Sequence, residues 1–596
     1  MILASLRDMA QREGLTSATA FENKPVKWVI SLDEAGGFLG LSQNSVDSVP
    51  KEGKKKSKPQ AKVFSIPRRS GRTVQTQADF LIDKSEYVLG IEPDGKRAAD
   101  ELNKRRGLFL DQMRAAAQAT SLEELTAAVR FLESESERAG CIAALEVDGY
   151  ASNDLFTFKV DGELLHSHPT VRSYWAALAE TKENAAESTL RQCTVCGQLR
   201  PPVDKHDALQ IPGGVTSGVG LVTFNSAAFE KYGLVRNENA PVCRPCMTAY
   251  VEGLRRCLSE RYPRPDDPES AFSKQSVRLT DDTTAVFWAA APSGVVDVLS
   301  HLSDSPADVK AALESPWHGS APGKMEHQRF HCLILTGSQG RAIVRSLHVS
   351  TLGDLITNLK RYFENLAVPG TEPGKPLPLF TLLRSLAPAE KIDKLPPGIA
   401  ADVFLAAVVG RPLPRRILST AVSRNAATQS VPRERAALLH LYLALQPNME
   451  RLPMSLDEEN LDPAYRLGRL LAVLEAIQYR AQGALNRNIV NRFYSAAATR
   501  PGNVFPKMIE LAQHHLAKLP GGSRNHWQKK LAAILWQLLP DLPRMQTIEE
   551  QGRFAIGYYH QRYENFKKAN PETGVVDTDS DSETNREVST NEKGAE

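Results

Sequence analysis

Four cysteines in two Cys-x-x-Cys pairs are the residues of this 596-residue chain whose types and spacing most directly specify chemistry. Cys193-Thr194-Val195-Cys196 and Cys243-Arg244-Pro245-Cys246 are separated by 46 residues, and four thiolates at such spacing can close a tetrahedral site around zinc. With four protein ligands no position stays open for water. The ion would therefore be structural, tying down a loop of about 50 residues that has no core of its own. A redox role fits less well, because a thioredoxin-type dithiol opens a helix after a strand and neither pair reads that way. Cys141, Cys257 and Cys332 are isolated and read as reduced, buried, small apolar residues.

Two basic regions suggest a polyanionic partner. Residues 51 to 72 carry nine Lys or Arg against one acid, Glu52. A lysine run is ordinarily a solvated loop. This one ends in arginines beside Ser70-Gly71, where a small-residue turn lets backbone amides approach a phosphate and the arginine fork suits phosphate oxygens or guanine edges. Lys54, Lys55, Lys56, Lys58, Lys62, Arg68, Arg69 and Arg72 are thus candidate DNA-binding residues. Between residues 466 and 530 there are eleven Lys or Arg and only two acids, Glu475 and Glu510. Lys507, His514 and Lys518 fall on one helix face. A solvated face normally mixes both signs, whereas a nearly acid-free one suits a path for single-stranded nucleic acid. Its candidates are Arg466, Arg469, Lys507, Lys518, Lys529 and Lys530.

Catalytic constellations are sparse. His514-His515 lacks a Glu in metalloprotease spacing, and Gly337-Ser338-Gln339-Gly340-Arg341 lacks the Lys-Ser/Thr of a P-loop and reads as a hairpin turn. The reading from another class is a metal-dependent nuclease centred on His166, His168, His206 and Asp207, which the fold would have to bring together. A binding protein, not an enzyme, is the expectation.

The elements that must position these residues follow from periodicity. The expected fold class is α+β and multidomain: a mixed α/β N-terminal domain (1–185), a zinc-knuckle insertion (186–260), a β-containing middle α/β region (261–400), a C-terminal α-helical bundle (401–570) and a disordered acidic tail (571–596). Ile2, Leu3, Leu6 and Met9 line one helix face, and Val26 to Ser31 and Phe38 to Leu41 read as strands. Two helices are expected at about 95–119 and 121–135, the second opened by a capping box of Ser121 and Glu124. Thr284 to Trp288, His331 to Leu335 and Ala342 to Val344 read as strands. Helical spacing then dominates to residue 566, with Leu467, Leu470, Leu471, Leu474, Ile477 and Ala481 on one stripe. The tail carries eight acids and two bases, so the net charge of +3 hides a body of +9. No apolar run approaches the roughly 18 residues of a membrane span, and Arg7 and Asp8 interrupt the N-terminus, so a cytoplasmic protein is expected.

Several phrases, in order, resemble those of one family. They are Lys27-Trp28-Val29-Ile30-Ser31-Leu32-Asp33, Arg69-Ser70-Gly71, Phe80-Leu81-Ile82-Asp83, Thr223-Phe224-Asn225-Ser226-Ala227-Ala228-Phe229, Asn239-Ala240-Pro241-Val242, Tyr465-Arg466-Leu467-Gly468-Arg469-Leu470 and Gln551-Gly552-Arg553-Phe554-Ala555-Ile556-Gly557-Tyr558-Tyr559-His560-Gln561-Arg562. The chain resembles, almost end to end, the large subunit of the subtype I-C CRISPR Cascade surveillance complex. That resemblance implies a non-catalytic subunit whose N-terminal domain reads the short flanking motif, the PAM, in double-stranded target DNA and supports R-loop formation. Guide-RNA pairing carries most target specificity in such systems. The implied partners are the guide RNA ribonucleoprotein, Cascade backbone subunits, an endoribonuclease subunit, a small subunit and a helicase-nuclease recruited in trans. The resemblance also implies that the C-terminal bundle is like the small subunit, which would arise by internal initiation at Met454 or, next, Met449. The second cysteine pair is outside the shared phrases, so the zinc expectation rests on this sequence alone.

Overall fold

The computed structural model describes residues 1–15, 20–46, 60–68, 76–93, 95–185, 190–224, 226–260, 262–264, 270–314, 326–372, 375–447, 451–538, 542–569 and 576–577. They fall into two compact units. The first comprises Met1–Asp207, Val222–Arg256 and Arg261–Phe272, and the second Ala208–Leu221, Cys257–Glu260 and Ser273–Glu596. This division differs from the segments drawn from sequence: most of the cysteine region belongs to the N-terminal unit, and the middle strands share a unit with the C-terminal helices.

In the first unit the strands are β1 (Phe21–Pro25), β2 (Trp28–Leu32), β3 (Phe38–Gln43), β4 (Ser45–Val46), β5 (Gln60–Ala61), β6 (Val63–Pro67), β7 (Asp83–Lys84), β8 (Leu155–Val160) and β9 (Glu163–Leu164). A five-stranded sheet runs β3-β2-β8-β7 with β9 on β8, and β2 and β8 are parallel. Both read as nearly continuous apolar runs because both faces of the sheet are covered. Trp28 stacks on Phe156 across that pair at 6.2 Å. Helices α1 (Ile2–Arg12), α2 (Ala99–Thr120), α3 (Glu123–Glu133), α4 (Glu135–Asp148) and α5 (Pro169–Ala185) complete this part, with Phe109, Met113, Leu125 and Phe131 of α2 and α3 in the sheet's core. The expected capping box at Ser121 is not formed. Ser121 instead ends α2 in the left-handed region (φ 51°), its N–H donating to Ala117 O, and Leu122 precedes α3 without a side-chain cap.

The cysteine region adds the hairpin β10 (Arg191–Gln192) and β11 (Leu199–Arg200), then α6 (Arg244–Leu258) and the short pair β12 (Tyr262–Pro263) and β13 (Ala271–Phe272). Gly253 of α6 lies against Leu6 O of α1, an approach that a side chain would block.

The second unit opens with an antiparallel sheet in sequence order: β14 (Ser276–Arg278), β15 (Thr283–Ala289), β16 (Arg329–Ser338) and β17 (Arg341–Thr351). Its last hairpin turns at Gln339-Gly340, where the sequence placed a turn, with Gly340 at φ 118°. Helices follow: α7 (Leu352–Leu366), opened by a Thr351/Asp354 capping box, α8 (Ile399–Val409), α9 (Arg433–Leu445), α10 (Pro463–Gln482), α11 (Ile489–Thr499), α12 (Pro501–Ala517), α13 (Gly521–Trp536) and α14 (Ile548–Phe566). One buried core runs from Val277 and Phe287 through Leu355, Phe404 and Leu438 to Leu467 and Phe554. Of the acidic tail only Val576–Asp577 is described, paired with Lys568–Ala569; the expectation of disorder there otherwise concerns residues outside the described ones. Among the described residues no helix is long and apolar enough to cross a membrane.

Candidate metal centre and basic surfaces

Each cysteine pair is presented by a distinct local device. The first lies in the turn between β10 and β11: Cys193 N donates to Gln198 O at 2.9 Å, Gly197 N donates to Cys193 O at 2.8 Å, and Gly197 supplies the φ of 77° that closes the turn. The second pair opens α6, with Cys243 just before the helix and Cys246 in its first turn. A helix thus follows the second pair, but among the described residues no strand leads into it as it would in a thioredoxin-type dithiol. Pro245 fits the first turn because its missing N–H would have no partner there. Val203 N donating to Val242 O and Thr194 N donating to Pro241 O, both at 2.9 Å, tie the two pairs together.

All four sulfur atoms lie within 4.8 Å of one another, and Cys196 Sγ is 3.8 Å from Cys243 Sγ. A tetrahedron with metal–sulfur bonds of about 2.3 Å has sulfur–sulfur edges of about 3.8 Å. Cys193, Cys243 and Cys246 are buried and Cys196 is partly so. Burial disfavours the Cys193 thiolate, but amide donation from Cys243, Cys196 and Val195 outweighs it and brings the thiol down to about 6. Burial pushes Cys243 up to about 11 and raises Cys246 as well. Four converging thiols, one of them already favoured as thiolate, form a donor set able to hold a metal ion, and one compatible with zinc. Arg7 of α1 adds a cation, donating to Val195 O at 3.0 Å.

The alternative nuclease set is not brought together; among the described residues the four cysteines are the only metal-ligand cluster of three or more. His166 is buried with Nδ1 3.0 Å from Thr157 Oγ1, and burial lowers its pKa to about 4. His168 Nδ1 accepts from Thr170 N. His206 bonds Tyr250 Oη, and Asp207 pairs with Arg68.

That last contact corrects the reading of Arg68. Its guanidinium is nearly buried and bonds Asp207, Phe21 O and Thr248 Oγ1, so it pins the end of β6 onto α6 and is not a free fork for DNA. Lys62 lines a cleft of about 570 Å³ with Asn44, Phe64, Lys159 and His168, beside the β4–β5 ribbon. Lys54, Lys55, Lys56, Lys58, Arg69 and Arg72 lie outside the described residues.

In the helical region the single-strand candidates divide. Arg466 and Arg469 are only 5% and 4% exposed. Arg466 Nε donates to Asn460 O, and Arg469 donates to Asp457 O, Glu458 O and Gln561 Oε1, so both are structural. Lys507, Lys518 and Lys529 are exposed, Lys507 paired with Glu510 at 3.0 Å; Lys530 is half-buried over the Trp527 ring. The reading from sequence missed Arg480, Arg487, Arg492 and Arg500, all exposed. The α10 stripe ends at Ala481, and Arg480 beside it and Arg487 after it fall where the apolar spacing gives out, which is the signal that could have found them.

The family profile described as CRISPR-associated protein (Cas_Csd1) matches residues 4–566. The chain belongs to the Cas_Csd1 family. No curated protein matches it. Two of the phrases singled out from this Cas_Csd1 member face each other: Tyr465 to Leu470 of α10 and Gln551 to Arg562 of α14. Gly468 lies against the Phe554 carbonyl and Gly557 against Tyr465 O, so the two backbones touch where no Cβ fits. Tyr465 Oη is 3.0 Å from His560 Nδ1, Tyr558 Oη donates to Glu475 at 2.8 Å, and Arg553 pairs with Asp462 at 2.9 Å.

Proposed function

We propose that this protein is the non-catalytic large subunit of a subtype I-C CRISPR interference complex of the Cascade type, acting in antiviral defence. In this reading it recognises the PAM in double-stranded DNA, helps the guide RNA pair with its target, holds the displaced strand and recruits a separate helicase-nuclease. The family match over residues 4–566 carries the proposal. The cleft bearing Lys62, Lys159 and His168 supports duplex contact by the first unit, and the exposed, acid-poor cations of α10 to α13 support a single-strand path in the second. The cysteine centre holds zinc as a structural ion, fixing the β10–β11 hairpin to the start of α6.

Co-expression with guide RNA and the neighbouring backbone and endoribonuclease subunits tests the reading. The tagged chain should co-purify with a stoichiometric ribonucleoprotein. Recovery of the chain alone, under conditions in which the other components assemble, would contradict it.

A further inference from the structure

Helix α14 ends at Phe566, whose ring meets that of Tyr479 at 5.4 Å, so the chain leaves the helical region beside the last turn of α10. That corner is basic. Arg480 follows Tyr479 directly, and Gln478 Oε1 accepts from Ile489 N at 2.7 Å, which draws the start of α11 to the same place, with Arg487 before it and Arg492 one turn in. All three arginines are exposed, and none of their guanidinium groups has a hydrogen bond or ion pair among the described residues. Residues 476 to 509 contain no acid. The carboxylates that border the corner are engaged: Glu475 by Tyr558 and Arg562, and Glu564 by Lys567. The acidic loop before α10 belongs to that helix's other end, where Arg466 bonds Asn460 O, about 20 Å along the helix from Arg480.

What leaves at this corner is acidic. Beyond Phe566 the chain doubles back, Lys568–Ala569 pairing antiparallel with Val576–Asp577, so that Asp577 stands opposite Lys568 close to the helix end. Asp577 opens the sequence Asp577-Thr578-Asp579-Ser580-Asp581-Ser582-Glu583, in which every second residue is a carboxylate. An extended chain carries alternate side chains on one side, and a run of this length reaches about 20 Å. Arginines without counter-charges and carboxylates that begin beside them are thus joined by one short stretch of chain, which keeps their effective concentration high. Each exposed pair is weak alone, and several together make a contact that salt dissolves. We propose that the run Asp577 to Glu583 docks on Arg480, Arg487 and Arg492 and covers that surface when no other polyanion is bound. The docking stands on charge and position; its consequence, that the tail competes with a displaced strand at this end of the path, rests on the single-strand reading above.

The test follows cleavage of the tail of the full chain by a glutamyl endopeptidase, which can cut after Glu583 and Glu587. At low ionic strength the native tail should be cut several-fold more slowly than in about 1 M salt, where charges are screened beyond about 3 Å. The variant Arg480→Ala, Arg487→Ala, Arg492→Ala should be cut rapidly in both. A second variant, Asp577→Asn, Asp579→Asn, Asp581→Asn, Glu583→Gln, should bind fluorescent oligothymidine about 2- to 10-fold more tightly than the native chain at low salt, as for a surface covered half to nine-tenths of the time. The same tail change made in the triple-arginine background should leave affinity unmoved. Equal cleavage of the native and triple-arginine chains at low salt would overturn the proposal. So would protection that grows with protein concentration, which would place the tail on a second copy. Protection lost with the arginines, while oligothymidine affinity is the same in every variant, would uphold the docking and contradict the single-strand reading at this corner. Because the three arginines are exposed, their replacement leaves the helical core intact, and unaltered circular dichroism should confirm this.

Discussion

Arg68 shows how little a residue type says without its surroundings: it was legible as a DNA-binding side chain from its basic run, yet Asp207, Phe21 O and Thr248 consume its donors. Arg466 and Arg469 repeat the lesson. The cysteines behave oppositely, because Cys-x-x-Cys carries its own turn geometry and needs from the fold only that the two pairs meet. A structural zinc there predicts about one zinc per chain by elemental analysis, and Cys243→Ser with Cys246→Ser should abolish it and expose residues 193 to 246 to protease. Full zinc retention in the double variant would exclude the site. Buried histidines set an acid limit. Burial lowers His166 and His331 to about 4 and His560 to about 3, against 6.5 for an ordinary imidazole. These groups are neutral when folded, so their contribution is fully present above about pH 6.5 and is lost as pH falls toward 4. The urea midpoint should therefore be lower at about pH 5 than at about pH 7.5. His560→Gln should lose less over that interval, in a comparison from which acid release of zinc, common to both proteins, cancels. Equal losses in the two proteins would contradict the assignment to His560.

At the scale of elements, the α10–α14 pair is where the sequence phrases acquire a physical cause. Gly468 and Gly557 permit backbone contact between two helices, and Tyr465, Glu475, Arg553, Tyr558 and His560 bond across it. Gly468→Ala or Gly557→Ala would drive a methyl into a carbonyl on a helix that cannot give way, and each should cost about 3 kcal/mol or more in denaturant unfolding. A change under about 0.5 kcal/mol, the scale of ordinary surface substitutions, would show that the helices do not touch there. The helices of this region were legible because their apolar stripes repeat at helical spacing over many turns, and the strands β15 to β17 because Val, Ile, Phe and Trp cluster between turn residues. What was not legible is pairing over long separations. Nothing local at Trp28 announces its parallel partner Phe156, and nothing at Ser121 reveals that its backbone ends one helix and does not cap the next. Arg466 and Arg480 lie about 40° apart on the same side of one helix; what buries the first is its bonding to Asn460 O and Gln537 O, distant segments that nothing local announces.

At the scale of the whole molecule, the shared core has a consequence for an internally initiated product from Met454 to Glu596. It would retain α10 to α14, but Gly552 of α14 lies against Leu418 and Leu439, which the product lacks. The fragment should be helical by circular dichroism and bind single-stranded DNA with strong salt dependence, yet unfold at a lower urea concentration than the full chain. An unfolded spectrum would exclude an independent small subunit beginning at Met454; Met449 lies outside the described residues. The central claim is that this chain lets an RNA-guided complex read DNA beside its target. Its most direct test is the equilibrium affinity of the assembled complex, with and without this subunit, for duplexes sharing one guide-matched target and differing only in the flanking motif. Tight binding confined to particular flanking motifs, and lost when the subunit is omitted, is the predicted result; equal binding of all the duplexes, or binding indifferent to the presence of this chain, would contradict it.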